Sequence, residues 1–109
     1  MAAGEATLLQ LTDDVYRHLE ARASRLEKGL VRDGSSTARI GSLLTLFFRD
    51  SAPTNFREAK ESNTNAFAKF FQHMRDAGVL LPPSQFEAWF LSAAHDDAVI
   101  DATIAAAAE

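Results

Sequence analysis

An α+β fold, a small antiparallel sheet with helices mainly on one face, is what this sequence predicts. Three observations carry that reading. Apolar residues recur at helical spacing over 6–30, 63–77 and 97–108. Short apolar runs lie between those stretches, at 43–48, 79–81 and 88–93. The last two runs are joined by a sharp Pro82-Pro83 corner, which points to antiparallel pairing, and the helix–strand order places helices on one side of the sheet.

Size and charge narrow the classes. The 109 residues make one domain, and 47% apolar residues suffice for one core. The net charge of −4 is spread along the chain without a basic stripe, so nucleic-acid binding has no electrostatic footprint. The absence of Cys excludes disulfides and thiol chemistry. No apolar run approaches the ~20 residues of a membrane helix. Met1-Ala2-Ala3-Gly4-Glu5 lacks the features of a signal peptide. A cytosolic protein without nucleic-acid or membrane partners is expected.

The first segment, 1–32, is helical. Leu8, Leu11, Val15, Leu19, Ala23, Leu26 and Leu30 form one stripe from residue 6 onward. Thr12-Asp13-Asp14 reads as an N-cap with an acidic first turn. The segment is therefore either two helices broken near Thr12 or one kinked helix. Asp33-Gly34-Ser35-Ser36-Thr37 reads as a turn. Residues 39–48 then read as a single strand, apolar on both faces and hence central, with Gly41 at its start marking a bulge or a close backbone approach.

Residues 49–62 form a loop, with one helical turn at Phe56-Arg57-Glu58-Ala59. Ser62 or Asn63 caps a helix through Ala77, whose inner face is Phe67, Phe70, Phe71 and Met74. Gly78 stops it. Residues 79–81 and 88–93 complete the sheet. Asp96 or Asp97 starts the last helix, with Val99, Ile100 and Ile104 inward. His73 has no partner at metal-ligand spacing, so no metal site is expected. His95-Asp96 lacks a Ser or Cys placed to complete a triad.

Glu87, at the corner, is the one candidate site residue. By residue chemistry alone it reads as a solvated edge charge. Further motifs change its standing. Gly41-Ser42 leads to Thr45-Leu46-Phe47-Phe48; then come Asn55-Phe56, Ala59-Lys60, Phe70-Phe71-Gln72-His73-Met74, Gly78-Val79, Pro83-Ser84-Gln85-Phe86-Glu87-Ala88, Ser92, Ala94-His95 and Ile100-Asp101-Ala102-Thr103-Ile104. In this order they resemble the C-terminal part of the glutamate-1-semialdehyde 2,1-aminomutase family, class-III aminotransferase relatives that use pyridoxal 5'-phosphate (PLP). Met1-Ala2-Ala3-Gly4 resembles an internal family segment.

The resemblance implies that residues 1–109 are the C-terminal small domain of a fold-type I PLP-dependent transferase. The whole enzyme, an isomerase of tetrapyrrole (porphyrin) synthesis, converts glutamate 1-semialdehyde to 5-aminolevulinate. Its implied partners are a large PLP-binding domain in the same polypeptide, a small-molecule substrate and a second subunit in a homodimer. Glu87 is implied to face the substrate, with Ser84 and Gln85 positioning it. The family's Schiff-base lysine lies upstream of the matched region, so no catalytic or cofactor-binding residue is expected in this chain and no PLP bound covalently by it. Lys28, Lys60 and Lys69 do not stand in that motif. The sequence also departs from the family at Trp89, where a small residue is usual, and in a short link from Leu30 to Arg39. Two other readings stay open: the small domain of a related PLP aminotransferase, and a stand-alone interaction module without catalysis.

Overall fold

The computed structural model describes residues 1–32 and 34–108. Its elements run α1 (Ala2–Leu9), α2 (Asp13–Leu30), β1 (Ser36–Ile40), β2 (Leu43–Phe47), α3 (Phe56–Ala59), α4 (Thr64–Asp76), β3 (Trp89–Phe90) and α5 (Asp97–Ala108). The sheet has the order β1-β2-β3, antiparallel throughout. The expected α+β class holds, and α2, α4 and α5 cover one face.

Thr12 does break the first segment into two helices. Its hydroxyl accepts from the Val15 amide, so α2 starts on a side-chain cap, and Asp13 and Asp14 sit at the positive end of its dipole. The apolar stripe is buried only in its second half, at Ala23, Leu26 and Leu30. Leu8 and Leu11 are exposed, and α1 buries no residue.

The single strand expected over 39–48 is in fact a hairpin. Ile40 pairs with Leu43 across a two-residue turn at Gly41-Ser42. Gly41 has φ +58°, and a glycine with positive φ at the first turn position is what a tight primed hairpin turn requires. A Cβ there meets nothing within 4 Å, so the glycine serves the turn and not a close approach or a bulge. Part of the expected turn, Ser36 and Thr37, belongs to β1, while Asp33 lies outside the described residues. β2 is central, as expected, but covered mainly on one side: Leu44 and Leu46 are buried while Leu43 is exposed.

Register explains the sidedness. Arg39, Leu44 and Trp89 align across the three strands and face the helices. Leu44, Leu46 and Trp89 pack there with Leu26, Leu30, Met74, Leu81 and Ile100. Trp89, the departure from the family pattern, is thus a core residue at 7% exposure. At the sheet edge Arg39 lies 3.4 Å from Glu27 of α2, and the Thr37 hydroxyl donates to the same carboxylate.

Two further corrections concern the sheet. Residues 79–81 are not a strand: Leu81 is buried and Leu80 is 80% exposed, with no ladder partner. Pro82 follows directly and has no amide to donate. The run at 88–93 contracts to Trp89–Phe90. In α5, Asp96 is the cap, accepting from the Val99 amide at 3.0 Å. Ile100 is buried and Ile104 half-buried, but Val99 points outward at 41% exposure. Arg25 of α2 forks onto Asp101 of α5 with 2.8 and 2.9 Å bonds, and that carboxylate raises the arginine's pKa. His73 of α4 meets the Ala106 carbonyl at 2.8 Å, engaging one of the carbonyls left free at the end of α5.

Candidate functional site

The corner at 82–88 is positioned by three anchors. The first is the end of α4. Asn63 caps that helix at its start, as expected. At its end the Gly78 amide donates to Arg75 and the Val79 amide to Met74, with Gly78 at φ +92°. This pair of bonds is the Schellman closure, in which a left-handed glycine turns the chain sharply out of the helix. Val79 then packs on the core beside Met74.

The second anchor is Gln85, 3% exposed. Its Nε2 donates to the Leu46 carbonyl at 2.5 Å, and its Oε1 accepts from the Phe48 amide at 3.4 Å. Both ends of the side-chain amide are therefore spent on β2 and its continuation. Gln85 ties the corner to the central strand and does not reach outward. The third anchor is Thr45, whose hydroxyl donates to the Glu87 carbonyl at 3.2 Å. In the sequence Thr45 stands only as part of the Thr45-Leu46-Phe47-Phe48 motif; the register, which sets it beside the chain leading into β3, reveals its role.

Ser84 and Glu87 close a small ring on themselves. The Glu87 carboxylate accepts from the Ser84 amide at 3.0 Å, the Glu87 amide donates back to the Ser84 carbonyl at 3.3 Å, and the Ser84 hydroxyl accepts from the Phe86 amide at 3.1 Å. The structure thus brings Ser84, Gln85 and Glu87 together. Glu87 is exposed, in keeping with the solvated edge charge that its residue chemistry alone suggests. Among the described residues it has no ion-pair partner in this chain. Its carboxylate is held in one direction by a neutral amide while its remaining lone pairs face solvent, which leaves it able to accept from a cationic or N–H-bearing group.

A groove of about 320 Å³ runs beside the corner, between α4 and Ser84, Gln85 and Phe86. Phe86 also stacks edge-on with Phe56 at 5.6 Å, and the Lys60 ammonium sits 4.9 Å from the Phe56 ring. The expected helical turn at Phe56–Ala59 therefore docks its exposed aromatic on the corner. Asn55 caps that turn. The Thr54 amide and hydroxyl both donate to Glu58, and these bonds, chiefly the amide's, hold the carboxyl below its ordinary pKa.

The other sequence candidates stand apart. Lys28, Lys60 and Lys69 are all exposed. A Schiff-base lysine requires a site that desolvates the amine and holds a phosphate. None of the three has one among the described residues. The His95 Nδ1 accepts from the Ser92 amide at 2.9 Å, so His95 closes the turn before α5. No helix among the described residues is long and apolar enough to cross a membrane, and among them no group of His, Asp and Glu is disposed to hold a metal.

No protein-family model matches the chain. Individual proteins do. It is 47% identical, over 98% of its length, to glutamate-1-semialdehyde 2,1-aminomutase 1 of Bacillus cereus strain G9842. The same identity and coverage relate it to glutamate-1-semialdehyde 2,1-aminomutase 2 of Bacillus thuringiensis strain Al Hakam. The chain spans about a quarter of the length of these curated relatives, 26% in both. Among solved structures, the fold matches a glutamate-1-semialdehyde aminomutase from Pseudomonas aeruginosa PAO1 with a TM-score of 0.76, at 24% identity, over 89% of this chain and 23% of that one. A variant of that Pseudomonas enzyme, in complex with PMP, matches equally well. Over nearly its whole length, then, this chain is similar in sequence and in fold to the C-terminal region of the glutamate-1-semialdehyde 2,1-aminomutases.

Proposed function

We propose that this chain is the C-terminal domain of a PLP-dependent aminomutase that converts glutamate 1-semialdehyde to 5-aminolevulinate. The observation that carries the reading is 47% identity sustained over 98% of the chain. The fold supports it independently of sequence identity. In this reading the cofactor, its lysine and the chemical steps reside in the three-quarters of the enzyme that this chain does not span. The enzyme works as a cytoplasmic homodimer.

The part played by this chain is to supply one wall of the substrate site. Glu87 is the substrate-facing residue. Its carboxylate is oriented by the Ser84 amide and its backbone is pinned by Thr45, so little side-chain freedom remains to be lost when it meets a ligand. A fixed carboxylate near a substrate that carries amino groups holds the cationic form in place or accepts a proton from it. Ser84 is its positioning residue. Gln85 acts one step further back, by tying the corner to β2.

The test is Glu87→Gln in the full-length enzyme, which keeps the shape and removes the charge. Turnover is expected to fall about tenfold or more, the low side of acid–base effects, with cofactor occupancy and melting temperature unchanged. Wild-type turnover leaves Glu87 a surface charge. A lowered melting temperature with normal activity per folded molecule makes it structural.

A further inference from the structure

Phe56 has no place in the core. It is 62% exposed, and the residue that α3 buries is Ala59. Its ring is nevertheless engaged on the corner, where it meets the Phe86 ring edge-on at 5.6 Å under the Lys60 ammonium. An edge-on aromatic pair has a preferred geometry, because the positive edge of one ring seeks the negative face of the other. Phe86 stands inside the turn that aims Glu87. Its amide donates to the Ser84 hydroxyl at 3.1 Å, and the Ser84 amide donates to the Glu87 carboxylate at 3.0 Å. Gln85 is buried and faces the sheet, while Phe86 is exposed and faces α3. Gln85 thus holds the inner side of the corner, and Phe56 meets its outer side.

A brace must itself be fixed, and α3 is. Arg49, at the start of the 49–62 loop, lies 3.6 Å from Glu58 and 3.5 Å from Glu61 near its end. The Asn55 side chain accepts from the Glu58 amide at 2.9 Å. Loop and corner also share a root in Phe48, the residue after β2. Its amide donates to Gln85 Oε1 at 3.4 Å, and its carbonyl accepts from the Asn63 amide at 3.0 Å. The two segments therefore hang from one strand end and touch again where Phe86 meets Phe56. We infer that Phe56 is a positioning residue for Glu87: through Phe86 it holds the outer side of the 84–87 turn and so the direction of the carboxylate. The inference rests on the substrate-facing role proposed for Glu87 and adds the residue that α3 contributes to it. A contact can bias an equilibrium only by its own strength, which for an edge-on aromatic pair is about two- to tenfold. The effect on rate is accordingly smaller than that of removing the carboxylate's charge.

The experiment compares Phe56→Ala and Phe56→Tyr in the full-length enzyme, and repeats Phe56→Ala in the Glu87→Gln background. Phe56→Ala is expected to lower kcat about two- to tenfold, with cofactor occupancy unchanged. Phe56→Tyr keeps the ring and is expected to retain wild-type kcat. In the Glu87→Gln background Phe56→Ala is expected to change nothing further, since no charge is left to aim. An equal fall in both backgrounds shows that Phe56 acts without Glu87 and overturns the inference. Unchanged kcat per folded molecule in Phe56→Ala, with or without a lower melting temperature, makes the residue structural and overturns it as well. So does a fall in Phe56→Tyr as large as that in Phe56→Ala. Wild-type turnover in Glu87→Gln alone overturns the underlying reading of Glu87 together with this one, and is told apart because it appears without any change at Phe56.

Discussion

Gln85 is the residue on which the corner depends. Its two hydrogen bonds reach across 39 and 37 positions to the Leu46 carbonyl and the Phe48 amide. Gln85→Ala removes both and strands those backbone groups under a loop. We expect a loss of about 1–3 kcal/mol in unfolding free energy, the cost of leaving buried polar groups unpaired. Urea titration of the wild-type and variant chains measures it, and a change within experimental error shows that water replaces the amide without cost. A residue-scale expectation also attaches to the lysines. Incubated with PLP and reduced with borohydride, this chain should gain no stoichiometric adduct on a single lysine, because Lys28, Lys60 and Lys69 are all exposed. One uniform adduct by mass spectrometry refutes this, whereas scattered labelling does not. The sequence pointed to Glu87 through its motif, and residue chemistry already read it as solvated, but the bonds that orient it depend on the folded corner. Gln85 stood in the same motif as a residue positioning Glu87. Only the tertiary structure shows that its amide is already committed.

At the scale of elements, α2 and α5 pack tightly at Gly29. A Cβ built on Gly29 would stand 2.5 Å from Ile104 Cδ1 and 2.6 Å from its Cγ1. Glycine in a helix interior ordinarily costs about 1 kcal/mol relative to alanine; here it is retained because α5 lies against it. Gly29→Ala should therefore destabilise by on the order of 1 kcal/mol, overpacking exceeding the gain in propensity. Adding Ile104→Ala tests the cause, since the double variant should lose less than the sum of the two singles by about 0.5 kcal/mol or more. Strict additivity would place the strain elsewhere. α1 behaves oppositely. It buries nothing, so deleting residues 1–10 should change unfolding free energy by less than about 0.5 kcal/mol, as for other surface changes. A loss above that range by calorimetry would mean that α1 does pack on the body. Helices were legible because their periodicity and caps are local: Thr12, Asn55, Asn63 and Asp96 all cap as their types dictate. Strands were less so. The Gly41-Ser42 hairpin turn carried a local signal in its glycine, but the pairing that shortens β3 to two residues is long-range.

Taken whole, the molecule has a Cα radius of gyration of 15.1 Å and extents of 44 × 30 × 23 Å. Exposed apolar residues lie at α1, at Leu80 and, in the sheet, at Ile40 and Phe90. The isolated chain should accordingly self-associate as concentration rises and bind a hydrophobic dye, with sedimentation as the measurement. A strict monomer that binds no dye refutes this.

The triple anchoring of the corner by Gly78, Gln85 and Thr45 has a kinematic consequence. Tied to both helix and sheet, Glu87 has no hinge of its own and travels with the domain as one body. At one radius of gyration from a pivot, 15.1 Å, a rotation of about 4° sweeps an atom through about 1 Å, the displacement at which a misplaced group costs ~10²-fold in rate. With Glu87 in the substrate-facing role proposed above, a tilt of that size is enough to change the rate. Substitutions far from the corner that alter the tilt would then change turnover while every contact around Glu87 stayed intact.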